Sequence, residues 1–257
     1  MKLAVVGNPI AHSKSPLIFQ FLFEALKMNG SYVRILLNSA NEIPPLFENG
    51  IVGINITAPF KQSVLPYLSE ISNDARQIAS VNTVISKEGK LHGFNTDYLG
   101  VINALEEKGI DLASKRCLIL GGGGAARAAI YGLRKRGAIV QVYNRTENKA
   151  SDLAKEFNVN FLRKDDLKKA IQNTDTLIDT LPLGVKIIPS EYLHANLTIL
   201  DASYPKSVYD GSNIAHLIGG EHWLLHQALP AFELFTGIKL NTKEYNQKAL
   251  LDLLIKS

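Results

Sequence analysis

A short apolar run that ends in four consecutive glycines constrains the fold of this chain more than any other stretch. Residues 116–120 read Arg-Cys-Leu-Ile-Leu, residues 121–124 are all glycine, and an alanine-rich segment continues to Arg136. The apolar run predicts a buried strand, because it is brief and is bounded by a residue that breaks regular structure. Apolar residues at helical spacing follow at Ala125, Ala129, Ile130 and Leu133. The sequence therefore predicts a strand, a glycine turn and a helix in direct succession.

This succession is the context in which a G-x-G-x-x-G pattern indicates a dinucleotide site. Ala126 stands at the third glycine position, where close packing of helix on strand requires only a small side chain. Glycines allow backbone N–H groups to approach a pyrophosphate, and the N-terminus of the helix adds partial positive charge. A turn that serves packing alone is the other interpretation of this motif.

The second β-type run, residues 138–143, ends in Asn144-Arg145-Thr146. Enzymes that bind the adenosine ribose of NAD usually place an acid about twenty residues after the glycines. No acid stands here, whereas the planar guanidinium of Arg145 suits a 2′-phosphate, with Asn144, Thr146 and Lys149 as further donors. The pattern favours NADP over NAD, and a solvated arginine at a strand end is the alternative.

Composition excludes several classes of protein. The 257 residues are 46% hydrophobic and 20% charged, which is typical of a packed core in one large domain or two modest ones. The net charge of +4 is accompanied by no basic block longer than residues 134–136, so no nucleic-acid partner is expected. A small positive balance suits anionic small molecules.

Compartment follows from similar observations. The single cysteine, Cys117, lies in an apolar run and is expected to be a buried small hydrophobe. The apolar run at the N-terminus is too short for a signal peptide, and no run approaches the roughly eighteen apolar residues of a membrane span. We expect a soluble cytoplasmic protein without a membrane partner.

Strand-like and helix-like segments alternate along the whole chain and predict an α/β fold. In the first part, strands are predicted at 3–6, 32–37 and 52–56 in a parallel sheet, and a helix from Ser15 as N-cap and Pro16 as N1. A long amphipathic helix after Gly220 and a last helix over 242–255 are expected to return to this part. The predicted domains are therefore a discontinuous one, 1–100 plus 221–257, and a Rossmann-type doubly wound one, 101–220.

Three polar loops of the first part carry groups that suit hydride chemistry, which requires an acid and groups that hold the substrate. They cover residues 12–15, 55–61 and 95–97. Taken singly, each has an ordinary explanation, because lone charged residues are mostly solvated surface, and Ser15 and Asp97 suit helix caps.

Taken together, the loops and the glycine turn resemble the shikimate dehydrogenase family in order and spacing, over nearly the whole chain. The matching motifs are Gly7–Pro16, Asn55–Lys61, Val81–Thr83, Gly93–Asp97, Gly121–Arg127, Asn144–Thr146 and Gln227–Ala228. The resemblance implies reversible, NADPH-dependent reduction of 3-dehydroshikimate to shikimate, on the route through chorismate to the aromatic amino acids. It also implies a two-lobed enzyme in which residues 1–100 plus 221–257 bind the substrate and residues 101–220 bind NADP.

The resemblance further implies a role for each matching residue. Ser13 and Ser15 would hold the substrate carboxylate, with Tyr204 nearby. The ring hydroxyls would be bound by Thr57, Asn82, Asp97 and Gln227. Lys61 would be the catalytic acid/base and Asp97 its partner. NADP would be bound by Gly121, Gly122, Gly123, Gly124, Ala125, Asn144, Arg145, Thr146 and Lys149, with Ala202 and Gly220 flanking the nicotinamide. No metal ion is implied.

The chemistry of lysine agrees with this role for Lys61. A lysine side chain is an ammonium near neutral pH, and a neighbouring carboxylate favours that charged form. It can therefore donate a proton or a hydrogen bond as a carbonyl is reduced. Two alternatives stay open: an enzyme that also oxidises quinate, and a non-catalytic dinucleotide-binding regulator. A monomer or a homodimer is expected.

Overall fold

The computed structural model describes residues 1–257 and divides into two compact units. The first unit contains residues 1–96 and 227–257, and the second contains residues 97–226. None of the helices combines the length and the apolar character that crossing a membrane requires. The predicted domain boundaries, after residues 100 and 220, stay a prediction, because compactness does not tell which residues serve substrate and which serve cofactor.

The elements follow one another in a mixed α/β order. The strands are β1 Lys2–Gly7, β2 Ser31–Leu36, β3 Gly53–Ile56, β4 Glu70–Ile71, β5 Thr83–Lys87, β6 Lys90–Phe94, β7 Arg116–Leu120, β8 Ile139–Tyr143, β9 Asn160–Phe161, β10 Thr176–Asp179, β11 Thr198–Asp201 and β12 His216–Ile218. The helices are α1 Ser15–Ala25, α2 Ile43–Glu48, α3 Phe60–Ser63, α4 Asn73–Ile78, α5 Asp97–Glu106, α6 Gly124–Lys135, α7 Glu147–Phe157, α8 Leu167–Gln172, α9 Gly220–Thr236 and α10 Gln247–Lys256.

The sheet of the first unit has the strand order β2-β1-β3-β5-β6-β4. Strands β1, β2 and β3 are parallel, as predicted, but β5 runs antiparallel to both β3 and β6. The sheet is therefore mixed, and its parallel part contains the three strands for which parallel pairing was predicted. The physical reason is the short connection between β5 and β6, which suffices for a hairpin, whereas a parallel pair needs a longer crossover. Short β4, which the sequence did not predict, closes the edge beside β6.

Helix α1 begins one residue earlier than predicted. Lys14 is the N-cap and makes no side-chain cap, Ser15 is the first helical residue, and Pro16 follows it. The hydroxyl of Ser13, and not that of Ser15, accepts a hydrogen bond at the start of the helix, from the Ser15 N–H at 3.3 Å. The buried face of α1 packs Phe19 on Tyr32, with ring centroids 4.0 Å apart.

Helix α10 belongs to the first unit and starts later than predicted, at Gln247 and not at residue 242. The Asn246 side chain caps it by accepting from the Ala249 N–H at 3.0 Å, which fixes its first turn. At its other end, the buried ammonium of Lys14 donates to the Leu254 carbonyl at 2.7 Å. That bond ties α10 to the loop after β1.

The sheet of the second unit is wholly parallel, in the order β12-β11-β10-β7-β8-β9. The predicted succession of strand, glycine turn and helix is confirmed as β7, the turn and α6. From β7 the chain proceeds to β8 and β9 on one side, then returns to β10 and proceeds to β11 and β12 on the other. This is a doubly wound fold of the Rossmann type, with its switch point between β7 and β10. The short strands β9 and β12 were not predicted.

Candidate active site

Four chain segments of the first unit meet at one edge of its sheet. The loop after β1 bonds the loop after β3 through the Asn8 N–H and the Ala58 carbonyl at 3.0 Å. The residue before β5 bonds the end of β3, since the Ile56 N–H donates to the Asn82 carbonyl at 2.8 Å. Because β5 is antiparallel to β6, its first residue lies opposite Phe94, the last of β6. The candidate motifs are therefore gathered by sheet topology.

The buried amide of Asn82 is the centre of a polar network at this edge. Its Nδ2 donates to Thr96 Oγ1 at 2.9 Å and to Gln227 Oε1 at 3.2 Å. Its Oδ1 accepts from the Thr96 N–H at 2.7 Å and from the Thr83 hydroxyl at 3.0 Å. The structure thus brings together two of the predicted substrate-binding residues, Asn82 and Gln227, and locks their amides in one orientation.

The network continues through residues to which sequence reasoning gave no role. The Tyr32 hydroxyl donates to Asn55 Oδ1 at 2.7 Å, and Asn55 Nδ2 donates to the Thr83 hydroxyl at 3.0 Å. Buried polar networks of this kind rigidify a site when their members are paired. The signal in the sequence was Asn55 itself, a polar residue inside the otherwise apolar strand β3.

Ser13 and Ser15 form a second polar group in this unit. Both are buried, and the Ser13 hydroxyl donates to the Ser15 hydroxyl at 3.2 Å. The Arg34 guanidinium holds the loop, because its Nε donates to the Ser13 carbonyl at 2.7 Å. Two adjacent hydroxyls on a fixed loop can bind a carboxylate together.

The backbone holds Thr57 and Lys61 in place, and both side chains are half-buried. The Thr57 N–H donates to the Val6 carbonyl at 2.9 Å, and its methyl lies where a Cβ on Gly7 would approach to 2.4 Å. Only glycine at position 7 admits this approach. The Lys61 carbonyl accepts from the Val81 N–H at 2.8 Å. Lys61 is therefore tied by its backbone to the residue that precedes Asn82.

In the second unit, the glycine turn lies at the switch point of the sheet. Gly121 has φ +114°, and a Cβ there would lie 2.3 Å from the Thr180 hydroxyl, which follows β10. Gly123 is the N-cap of α6, and Gly124 is its first residue. A glycine N-cap has no side chain to accept from the first N–H groups, so these can bind an anion. Gly122 and Ala125 complete this cradle and are half-buried.

The end of β8 carries the predicted phosphate-binding residues. Asn144 Nδ2 donates to the Thr146 carbonyl at 3.0 Å, while Arg145, Thr146 and Lys149 are exposed. A cavity of about 440 Å³ adjoins them, and its charged lining consists of Arg145, Glu147, Arg163 and Lys164, with Glu147 paired to Arg163 at 3.3 Å. Sequence reasoning missed Arg163 and Lys164 because they follow the unpredicted strand β9. Three cations against one carboxylate leave the cavity with a positive balance, which suits a phosphate.

The remaining predicted residues also lie in the second unit. Ala202 and Gly220 are brought together, since a Cβ on Gly220 would lie 2.5 Å from the Ala202 carbonyl oxygen. Tyr204 is half-buried in the segment after β11.

Asp97 begins α5 and is buried, and its backbone carbonyl accepts from Trp223 Nε1 at 3.1 Å. Lys61 and Asp97 belong to different units.

Two buried carboxylates hold the loops after β10 and β11. Burial raises the pKa of Asp179 to about 6, against the opposing effect of hydrogen bonds from Tyr209 and the Leu181 N–H. The Tyr209 hydroxyl donates to it at 2.6 Å, and burial, followed by the charge of Asp179, raises the pKa of that phenol. Asp201 accepts from the Ser203 N–H at 2.9 Å and from the Ser207 hydroxyl at 2.6 Å. These bonds fix the backbone that carries Ala202.

The parallel sheet, its switch point and its glycine turn define the class of dinucleotide-binding α/β proteins. Within that class, two descriptions of one known family match this chain. The family described as "Shikimate dehydrogenase substrate binding domain" matches residues 5–84, and that described as "Shikimate / quinate 5-dehydrogenase" matches residues 103–214. The chain belongs to the shikimate dehydrogenase family, which confirms the resemblance seen in its motifs.

Individual proteins and solved structures of this family are similar to the chain over nearly its whole length. The shikimate dehydrogenase (NADP(+)) of Aquifex aeolicus is 32% identical over 248 residues, 92% of this chain and 91% of that protein. That of Pyrococcus abyssi is 35% identical over 244 residues, 91% of each chain. The crystal structure of the Aquifex aeolicus enzyme has a TM-score of 0.89 at 28% identity and covers 100% of this chain and 98% of the other. The Thermus thermophilus enzyme in complex with NADP(H) and shikimate has a TM-score of 0.85 at 30% identity over 99% of each chain.

Proposed function

We propose that this protein catalyses the reversible, NADPH-dependent reduction of 3-dehydroshikimate to shikimate, in the pathway through chorismate to the aromatic amino acids. The observation that carries the proposal is the buried Asn82 network with Gln227, at the sheet edge where the loops of Ser13 and Lys61 also lie. A relative of the same fold, from Thermus thermophilus, was solved with NADP(H) and shikimate.

Most of the side chains that hold the substrate belong to the first unit, and Asp97 and Tyr204 belong to the second. The Ser13 and Ser15 hydroxyls bind the carboxylate. Tyr204, which is half-buried, lies near that carboxylate. Thr57, Asn82 and Gln227, together with Asp97, bind the ring hydroxyls. Amides and hydroxyls both donate and accept, so they fit hydroxyl groups without a net charge. A site built to pair each hydroxyl rejects analogues that lack one, because its own buried groups would stay unpaired.

Lys61 is the catalytic acid/base and Asp97 is its carboxylate partner. In the direction of reduction, the Lys61 ammonium gives a proton to the oxygen of the carbonyl, which becomes the new hydroxyl. In the direction of oxidation, the neutral amine takes that proton back. A carboxylate partner favours the charged lysine and therefore supports its role as an acid. Preorganised positive charge also stabilises the developing alkoxide.

The second unit holds the cofactor NADP. When bound, NADPH supplies the hydride that adds to the carbonyl carbon. Residues 121–125 bind the pyrophosphate, because their backbone N–H groups donate hydrogen bonds to it at the start of α6. Arg145 binds the 2′-phosphate, with Asn144, Thr146 and Lys149 as further donors. The close approach of Gly121 to Thr180 and the positive balance of charge in the cavity beside Arg145 support this assignment. Ala202 and Gly220 flank the nicotinamide.

Two further features complete the proposal. The protein works in the cytoplasm, which is consistent with a buried and solitary cysteine. It acts as a monomer or a homodimer. Quinate is a second candidate substrate, because the family description that matches residues 103–214 names quinate beside shikimate.

One assay separates these candidates. Purified protein is given shikimate or quinate with NADP or NAD, and the formation of reduced cofactor is followed by its absorbance. We expect turnover with shikimate and NADP, and a much lower kcat/KM with NAD. Comparable kcat/KM for quinate would assign dual specificity. NADP binding without turnover of either acid would refute the proposed activity and favour a regulator.

A further inference from the structure

Two histidines and a glutamate of the second unit converge outside the motifs discussed above. His222 and His226 lie one helical turn apart on α9, and Glu107 directly follows α5. His222 Nδ1 lies 3.0 Å and His226 Nε2 lies 3.2 Å from the same oxygen, Glu107 Oε2. All three ligand-type atoms lie within 4.8 Å of one another.

The hydrogen-bonding state of His226 sets this cluster apart from an ordinary ion pair. Each histidine is only 8% exposed. His226 Nε2 is buried and has no hydrogen-bond partner of regular geometry, although Glu107 Oε2 lies 3.2 Å away. A buried polar atom without a partner is unusual and costs stability. A group placed among the three residues would satisfy it.

We propose that Glu107, His222 and His226 form a binding site for a divalent transition-metal ion of the zinc class. Zinc binds imidazole nitrogen at about 2.0–2.1 Å and carboxylate oxygen at about 2.0–2.2 Å, in tetrahedral geometry. Two ligand atoms at such distances are separated by roughly 3.3–3.5 Å along a tetrahedral edge. The observed separations of 3.0 and 3.2 Å are close to that length.

The ligand set also identifies the class of ion. Imidazole nitrogens with one carboxylate suit zinc, cobalt, nickel and copper, whereas magnesium and calcium prefer oxygen ligands alone. The side chain of Glu107 is 31% exposed, so the ion can enter from its side and water can fill the remaining position. A bound ion would connect the first turns of α9 to the end of α5, which gives the site a structural role.

Cobalt is the probe for the test, because Co²⁺ substitutes for zinc and absorbs visible light when bound. The full-length protein is prepared without an affinity tag, treated with a chelator, and titrated with Co²⁺ and then with Zn²⁺. We expect one equivalent of Co²⁺ per chain, a visible absorption band, and loss of that band as Zn²⁺ displaces Co²⁺. His222→Asn and His226→Asn should each weaken Co²⁺ binding at least tenfold.

His92→Asn is the matched control. His92 Nδ1 lies 3.3 Å from Glu70 Oε2, so it forms a histidine–glutamate pair without a third ligand. Its loss should leave Co²⁺ binding unchanged. An equal effect of His92→Asn, or a band that persists in the double variant of His222 and His226, would overturn the site.

A variant that keeps the fold makes the test decisive. If the histidine variants unfold, Glu107→Gln, which changes a partly exposed residue beyond the end of α5, is compared with the parent by circular dichroism and by Co²⁺ titration. Weakened binding in a folded variant supports the site, and unchanged binding overturns it. The readout is independent of dehydrogenase turnover, so failure of the metal site and failure of the proposed activity are distinguishable.

Discussion

Asn82 and Gln227 are 145 positions apart in the chain, yet Asn82 Nδ2 donates a hydrogen bond of 3.2 Å to Gln227 Oε1. Asn82 lies just before β5 and Gln227 lies in α9, and both side chains are buried in the first unit. Each amide orients the other, so the pair presents fixed donors and acceptors. Loss of either side chain would remove one buried hydrogen bond from its partner.

Gln227→Ala is expected to lower kcat/KM for shikimate about 10- to 100-fold. The variant removes one buried hydrogen-bonding group and leaves Asn82 partly unpaired, an effect of about 1–3 kcal/mol. Because Gln227 is proposed to bind a ring hydroxyl, the larger change should be in the KM for shikimate, with the KM for NADP unaltered. Gln20→Ala, at an exposed position of α1, is the control. A wild-type KM in Gln227→Ala would contradict the role.

Lys61→Ala is expected to lower kcat by about 10²-fold or more, which is the scale of lost acid–base assistance. The affinity for NADP should be unaltered, because the proposed cofactor residues lie in the other unit. Steady-state kinetics gives the first quantity, and fluorescence titration with NADPH gives the second. Lys87→Ala, an exposed lysine of the same unit, is the control. Turnover at the wild-type rate in Lys61→Ala would refute Lys61 as the acid.

Arg145→Ala is expected to reduce the preference for NADP over NAD. Removal of one charge-assisted hydrogen bond to the 2′-phosphate corresponds to about 1.5–3 kcal/mol, or roughly 10- to 150-fold in the KM for NADP. The KM for NAD, which lacks this phosphate, should change little. Arg76→Ala, an exposed arginine of the first unit, is the control. Equal losses with both cofactors would exclude a 2′-phosphate contact.

Gly121→Ala is expected to destabilise the cofactor-free protein by about 2–4 kcal/mol, through backbone strain and a steric clash together. Gly121 has φ +114°, and the Cβ of an alanine at this position would lie 2.3 Å from the Thr180 hydroxyl. Gly137→Ala separates the two effects, because Gly137 has φ +78° and no atom within 4 Å of an added Cβ. Urea unfolding should show a smaller loss for Gly137→Ala, and equal losses would discount the Thr180 contact.

Asp179→Asn is expected to remove a pH dependence of stability. Burial raises the pKa of Asp179 from 3.8 to about 6, so the folded state binds a proton more tightly than the unfolded state. The contribution of this group to the free energy of unfolding is therefore full below about pH 4 and is lost as pH rises through about 6. The loss is on the order of 2–3 kcal/mol.

Urea unfolding at pH 4, 5, 6 and 7, values that bracket this transition, checks the sign. Relative to Asp179→Asn, the wild-type protein should lose stability as the pH rises across this range. Asp210→Asn, at an exposed position nearby, should retain the wild-type slope. A wild-type slope in Asp179→Asn as well would contradict the raised pKa.

Local patterns in the sequence determined much of the second unit. The apolar run before Gly121 predicted β7, the alanine-rich segment predicted α6, and both are confirmed. Such patterns are readable because side-chain periodicity and glycine flexibility act within a few residues. The motifs also sufficed to assign the family, since their order along the chain needs no coordinates.

Tertiary packing decided the rest. The antiparallel pairing of β5 with β3, the cap at Asn246 and the bond between Asn82 and Gln227 were not predicted from local patterns in the sequence. The same is true of Glu107 and His222, which are 115 positions apart in the chain. The sequence by itself determined where most of the longer strands and helices form. Only the folded structure decided which polar side chains share a buried site, because long-range pairing is set by packing and burial and leaves no local period in the sequence.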